Sequence, residues 1–399
     1  MKKLNFLFVL ILLPVFIGAA DFGLLLNQNA GVGNTSGENA FEYSAALLPR
    51  YSFPIGGTGS FIMSAGLTYK YVNDESVFIP ELMRAEFSML FGEFGIRAGR
   101  ITCSTPLVIA DNLFDGFQFT HTSLMGKFGF GMWYSGLLCK NTLDITMTKE
   151  DVTASAALFD WENFADTYFT SKRLIVSADW ENPLIAELFS MNAAFTGQFD
   201  MNDHETKYHS QYLMLNAGFP VNSFLFKLGG ALELSQFDSE NNTALAGEIG
   251  VAYTLPASFN SRLAFNMIYA SGKTEGGLDA FVPITASQYG MIFQSKITGL
   301  TVLSLDYSAR ITDSLGVSFA ALYFVRNDLM IYDTYPVQAL PDEDSYWLGG
   351  EFSGRLVWSL FSDLQLILGG GVFIPAMGDV WKDSNPVMKA DLKVLFLIR

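Results

Sequence analysis

Apolar and polar side chains alternate along most of the chain. Met63, Ala65, Leu67, Tyr69 and Tyr71 share one parity, and Ser64, Gly66, Thr68 and Lys70 take the other. Further on, Phe226, Leu228, Leu232 and Leu234 oppose Lys227, Glu233 and Ser235, while Leu303, Leu305, Tyr307 and Ala309 oppose Ser304, Asp306, Ser308 and Arg310. Phe352, Leu356 and Trp358 oppose Glu351, Ser353 and Arg355. The chain ends on the same pattern, with Ala390, Leu392, Val394, Phe396 and Ile398 against Lys389, Asp391 and Lys393. A helix would place its apolar residues three and four positions apart, so each segment reads as a two-faced β-strand.

The connections alternate too, short then long. Gly56-Gly57-Thr58-Gly59, Phe91-Gly92, His121-Thr122-Ser123, Glu181-Asn182-Pro183, Phe219-Pro220-Val221-Asn222, Leu255-Pro256-Ala257-Ser258 and Ser362-Asp363 read as tight turns. Longer acidic stretches lie between them, at 73 to 78, 160 to 166, 200 to 206, 238 to 242, 271 to 285 and 327 to 345. Counted back from the last strand, every short turn falls at one end and every long loop at the other, provided that Ala286 to Ile297 belongs to one long excursion. That is the signature of an up-and-down antiparallel barrel with short periplasmic turns and long outer loops. The expected fold is all-β, a single transmembrane barrel over residues 21 to 399, of about sixteen to twenty strands with eighteen the best count.

Residues 1 to 20 read differently. Lys2 and Lys3, an apolar run from Leu4 to Ile17, and Gly18-Ala19-Ala20 make a cleavable export signal, with cleavage expected before Asp21. Loss of the two lysine charges takes the net charge from -16 to -18, which excludes nucleic acid as a partner. Half of the chain is apolar, with 36 Phe and 16 Tyr, yet no later segment has the uncharged run of a transmembrane helix. Apolar composition without helical spans again points to a barrel in an outer membrane. Its expected partners are membrane lipid, the barrel-assembly machinery and small hydrophilic solutes, with no cofactor.

Charged residues of polar parity are candidates for the pore lining. They are Lys70, Arg84, Arg97, Lys127, Lys227, Arg262, Arg310, Arg355, Lys389 and Lys393, against Glu86, Glu233, Glu248, Asp306, Glu351 and Asp391. Bases exceed acids here although the whole chain is acidic, so the surplus acid belongs to the loops. Rings of Arg and Lys favour anions at a constriction. The competing reading makes them ladders bracing the wall across strands, with Glu351 and Arg355, or Arg84 and Glu86, as pairs.

Two stretches resemble the alginate export family of outer-membrane porins, which are eighteen-stranded barrels. One is GIRAGRITCSTPLVIADNLFDGFQF, with Gly99-Arg100 closing a strand and Phe114-Asp115-Gly116 opening the next; the other runs from Trp347 to Asp379, with Gly350-Glu351-Phe352 and Gly369-Gly370-Gly371-Val372-Phe373-Ile374-Pro375. Ile101 and Ala376 depart from the family's usual Gln and Gly. The resemblance implies a substrate-translocating porin with Arg97, Arg100 and Asp115 near its path, and does not imply alginate as cargo.

Other chemistry is thin. Cys103 and Cys139 follow strands that end on the same outer side, and are either a disulfide or two unpaired thiols. Asp200, Asp203, His204, Glu205 and His209 cluster in one loop, which is either a weak divalent-cation site or a solvated acidic loop. His121 with Ser123 reads as turn chemistry and Gly31 to Gly37 as a loop, so no enzyme is expected. The leading function is a channel for passive diffusion or export of hydrophilic solutes. The alternatives are a carrier of hydrophobic compounds and a closed adhesive barrel.

Overall fold

The computed structural model describes residues 21 to 398 except 36–37, 73–74, 205, 238–239, 257–258, 275–276, 286–288, 330–344 and 382–384. Eighteen strands form one sheet in which every neighbour is antiparallel. They are β1 (Asp21–Thr35), β2 (Glu38–Ile55), β3 (Gly59–Val72), β4 (Glu75–Phe91), β5 (Phe94–Ser104), β6 (Asp111–Ser123), β7 (Gly126–Tyr134), β8 (Arg173–Ile185) and β9 (Phe189–Asp200). The second half holds β10 (Tyr208–Val221), β11 (Phe224–Phe237), β12 (Glu240–Thr254), β13 (Arg262–Ala270), β14 (Leu300–Arg310), β15 (Leu315–Arg326), β16 (Trp347–Ser359), β17 (Leu364–Ile374) and β18 (Val387–Ile398). β18 returns to β1, pairing Leu24 with Ile398 through Gly33 with Lys389, and closes the barrel. The predicted count of eighteen holds.

Burial follows the alternation. Along β10, Tyr208, Ser210, Tyr212 and Met214 are buried while Gln211, Leu213 and Leu215 are exposed. The exposed set faces outward and makes an apolar belt that includes Phe117, Phe119, Phe195, Phe226, Leu228, Phe265, Phe319, Phe352 and Leu392. The buried set faces the lumen. Among the described residues no helix is long and apolar enough to cross a membrane.

Turns lie at one rim and loops at the other, as the chain pattern predicts. Two turns sit a few residues later than expected: His121-Thr122-Ser123 belongs to β6 and Glu181-Asn182-Pro183 to β8, with the chain reversing at 124–125 and 186–188. Polarity there marks where strands leave the apolar belt, not where they turn. The long excursion at 271 to 299 is confirmed as one connection between β13 and β14. Helices α1 (Lys149–Ala156) and α2 (Phe164–Tyr168), both in the connection from β7 to β8, were not foreseen. α1 starts on a capping box in which Thr148 Oγ1 accepts from Asp151 N and the Asp151 carboxylate accepts from Thr148 N.

Candidate functional site

The lumen is narrowed by chain that leaves the loop rim and folds inward. The first insertion is the tip of the β5–β6 hairpin. Ile101, Cys103, Ile109, Ala110 and Phe114 join a buried cluster with Trp133, Ile175, Tyr212, Met214, Ala231 and Ala244 from the walls β7 to β12. For the tip to reach across, β5 must leave β4. Their pairing accordingly stops at Ala85 with Arg100, although β4 continues to Glu75.

The second insertion, residues 271 to 299, is a strap held by two wall carboxylates. Glu351 on β16 accepts the backbone N–H groups of Met291 (2.5 Å), Ile292 (3.1 Å) and Phe293 (2.8 Å). Glu233 on β11 accepts Val282 N–H at 2.8 Å and the hydroxyls of Tyr208 and Tyr212 at 2.7 and 3.2 Å. Both carboxylates are fully buried. A buried carboxylate is tolerated only when hydrogen-bonded in this way. The Phe293 ring lies 4.8 Å from Phe373 and 4.5 Å from Phe324, in a second cluster with Leu300, Val302, Leu348 and Trp381. The two insertions meet where Ile284 N–H donates to Ile109 O at 2.9 Å, and the strap meets the connection from β7 to β8 where Lys296 Nζ donates to Thr146 O at 3.1 Å.

That connection, residues 135 to 172, fills the wedge where β4 and β5 part. Arg100 sits at its vertex, donating to Leu82 O of β4, to Leu137 O at 3.1 Å and to the Asp115 carboxylate at 2.8 and 2.9 Å. Arg100 has the opposite parity to the lumen-facing Arg97, and Asp115 the opposite parity to Gln118. The expectation that Arg100 and Asp115 lie on the solute path is therefore corrected: they clamp the wall. Tyr168 donates to Pro80 O at 2.8 Å and packs with Ile79 and Cys139. Burial and the nearby charge of Glu81 push the Cys139 thiol up to about 11. The base of the connection is locked by Arg173, whose fully buried guanidinium pairs with Asp151 of α1 and Asp200 of β9.

The remaining predicted residues then fall into place. Lys70, Arg84, Arg97, Lys127, Lys227, Arg262, Asp306, Arg310, Arg355, Lys389, Asp391 and Lys393 share the lumen parity of their strands. Of the two proposed pairs, one forms: Glu86 binds Arg84 (2.6 Å) and Arg97 (2.9 Å). Glu351 does not pair with Arg355, because it serves the strap; it and Glu233 are anchors rather than lining residues. Arg310 pairs with Asp313 at the turn rim. Cys103 and Cys139 are both free thiols, buried in different clusters. Asp200 is committed to Arg173, Asn202 and Tyr208 N, which removes it from any cation site with Asp203 and His204, and the described residues contain no group able to hold a metal.

Among the charged lumen residues that escaped the sequence reading are Asp179 and Glu181 on β8 and Glu42 and Arg50 on β2. On β2 the neighbours Ala46 and Leu48 are apolar and blur the alternation, although Phe41, Tyr43, Leu47 and Tyr51 on the other face were a usable signal.

The open part of the lumen is off-centre. None of the three buried clusters contains a residue of β1, β2 or β3. Asn27, Asn29, Glu42, Ser44, Arg50, Ser64, Thr68 and Lys70 line that sector and keep solvent contact. Rows of the wall read directly from the register: Lys389, Gly33 and Ala40 form one, Asp391, Gly31 and Glu42 the next, and Lys393, Asn29, Ser44 and Lys70 the third.

No protein-family model and no curated protein sequence matches the chain. Solved structures do match in fold. The chain is similar to OccK2 (OpdF) of Pseudomonas aeruginosa, solved in complex with glucuronate, at TM-score 0.61 and 13% identity over 96% of this chain and 99% of that one. OpdK of the same organism matches at TM-score 0.61 and 11% identity over 96% and 99%. A BenF-like porin from Pseudomonas fluorescens Pf-5 matches at TM-score 0.60 and 12% identity, again over 96% and 99%. At such identities the likeness establishes the fold, an eighteen-stranded porin-type barrel matched over almost its whole length.

Proposed function

We propose that the chain is an outer-membrane channel through which small hydrophilic solutes diffuse along the β18–β1–β2–β3 side of the lumen, anions ahead of cations. One observation carries the charge preference: the inward acids are largely engaged and the inward bases are not. Glu86 is shared by two arginines, Glu233 and Glu351 hold the strap, Asp306 accepts from Asn266 and Ser304, and Glu248 from Asn216. Arg50, Lys70, Lys127, Lys227, Arg262, Arg355 and Lys393 make no salt bridge among the described residues. Asp179 and Glu181 of β8, Asp391 of β18 and Glu42 of β2 are inward carboxylates for which no hydrogen bond forms among the described residues, and Glu42 has only the 3.7 Å contact with Lys389. Free bases in a narrowed, low-dielectric passage favour anions.

The fold supports this reading, since its neighbours are porins and one was solved with a sugar acid. The apolar belt supports contact with membrane lipid, and in this reading the turn rim faces the periplasm and the loop rim the outside. Export is proposed to run through a cleavable signal at residues 1 to 20, cut before Asp21. Membership of the alginate export family is a separate proposal, carried only by the two stretches around Arg100 and Gly370. Liposome swelling tests the function. Glucuronate and neutral hexoses should enter faster than glucosamine of the same size, and liposomes that swell with none of them would refute a channel.

A further inference from the structure

We propose that solutes pass through an eyelet between the Ile292 to Gln294 end of the strap and a glycine-bared stretch of β1, with Glu42 and Lys389 setting its charge selectivity. The inference rests on the channel reading and adds the place and residues of selection. A gap of about 190 Å3 separates these parts, lined by Gly31, Gly33, Ala40, Glu42, Gln294 and Lys389 among others. One water needs only roughly 10–15 Å3 of such space, so the gap holds several waters.

Three features make this the passage. The wall is bare where the strap approaches. A Cβ at Gly31 would meet only Ala390 O at 3.8 Å, so that the side chain beyond it would project into open lumen; at Gly33 it would crowd Met388 O at 3.1 Å. The strap side is fixed, since Ile292 and its neighbours are held by Glu351 and by the stacking of Phe293 on Phe373. Third, Glu42 and Lys389 face each other at 3.7 Å with their side chains 51% and 33% exposed. So open a pair is weakly held and leaves both charges available to a passing solute. By contrast, Ala244 on the lumen face of β12 is 1% exposed inside a buried cluster.

Cysteine modification in planar bilayers tests the eyelet, using the full mature chain and charged methanethiosulfonate reagents. The native thiols are buried and give little background. Gly31→Cys should label and lose most of its single-channel conductance, whereas Ala244→Cys should do neither. Ala40→Cys, on the same gap, serves if Gly31→Cys fails to assemble. Glu42→Gln should move the reversal potential toward greater anion selectivity and Lys389→Gln toward cations. A conducting barrel in which Gly31→Cys and Ala40→Cys resist labelling, or label without loss of current, overturns the eyelet and leaves the channel standing. A barrel with no conductance steps overturns both.

Discussion

Glu351 holds one end of the strap through three successive backbone N–H groups. Replacing it with Ala leaves those donors buried and unpaired, at about 1–3 kcal/mol each. The strap should then detach, and single-channel recordings of Glu351→Ala should show larger and noisier conductance than the wild type. The cysteines give a second test at this scale. Burial, with the charge of Glu81, pushes the Cys139 thiol up to about 11, so the group stays protonated and inert at neutral pH. Iodoacetamide should leave native protein unmodified at pH 8, with Cys139 labelling as the pH approaches 11 or as the barrel unfolds; fast labelling at pH 8 would contradict its buried place. Single residues were legible in the sequence when their partner lay two positions away on the same strand, as with Arg84 and Glu86; the cross-strand bond from Arg97 to Glu86 was not. Glu351 was misread because its partners are backbone groups some sixty positions away, which no side-chain pattern reports.

Strands were more legible than connections. Period-two alternation is imposed by a wall with two different faces, and it sets strand number, direction and rim for nearly the whole chain. The connections obey no such period. Inward folding of the β5–β6 tip and of residues 271 to 299 depends on apolar residues such as Ile109, Phe281, Ile284 and Phe293 finding wall positions distant in sequence. The helices of the β7–β8 connection depend on Asp151 meeting Arg173, twenty-two positions on. Arg173→Met removes the charge that balances Asp151 and Asp200, and breaking such a buried arrangement costs about 3–5 kcal/mol. Its unfolding temperature in detergent should fall, and limited proteolysis should cut between 135 and 172 first. Arg100→Met should open the same segment to protease while lowering the unfolding temperature less, because Arg100 seals the wall without a fully buried ion pair.

At the scale of the molecule, the barrel is filled on one side and open on the other. Buried clusters bind the insertions to β4 through β18, and the polar, small-residue faces of β1 to β3 are left to water. The acids that hold the insertions in place are thereby withdrawn from the lumen field, and the bases opposite them are not. Anchoring the loops and selecting the solute are thus two results of one charge arrangement, in a chain whose overall charge is -16. The reversal potential of single channels under a potassium chloride gradient tests that claim most directly. Discrete conductance steps with chloride carrying more of the current than potassium are the predicted result; clear potassium selectivity, or a membrane that stays silent, would contradict it.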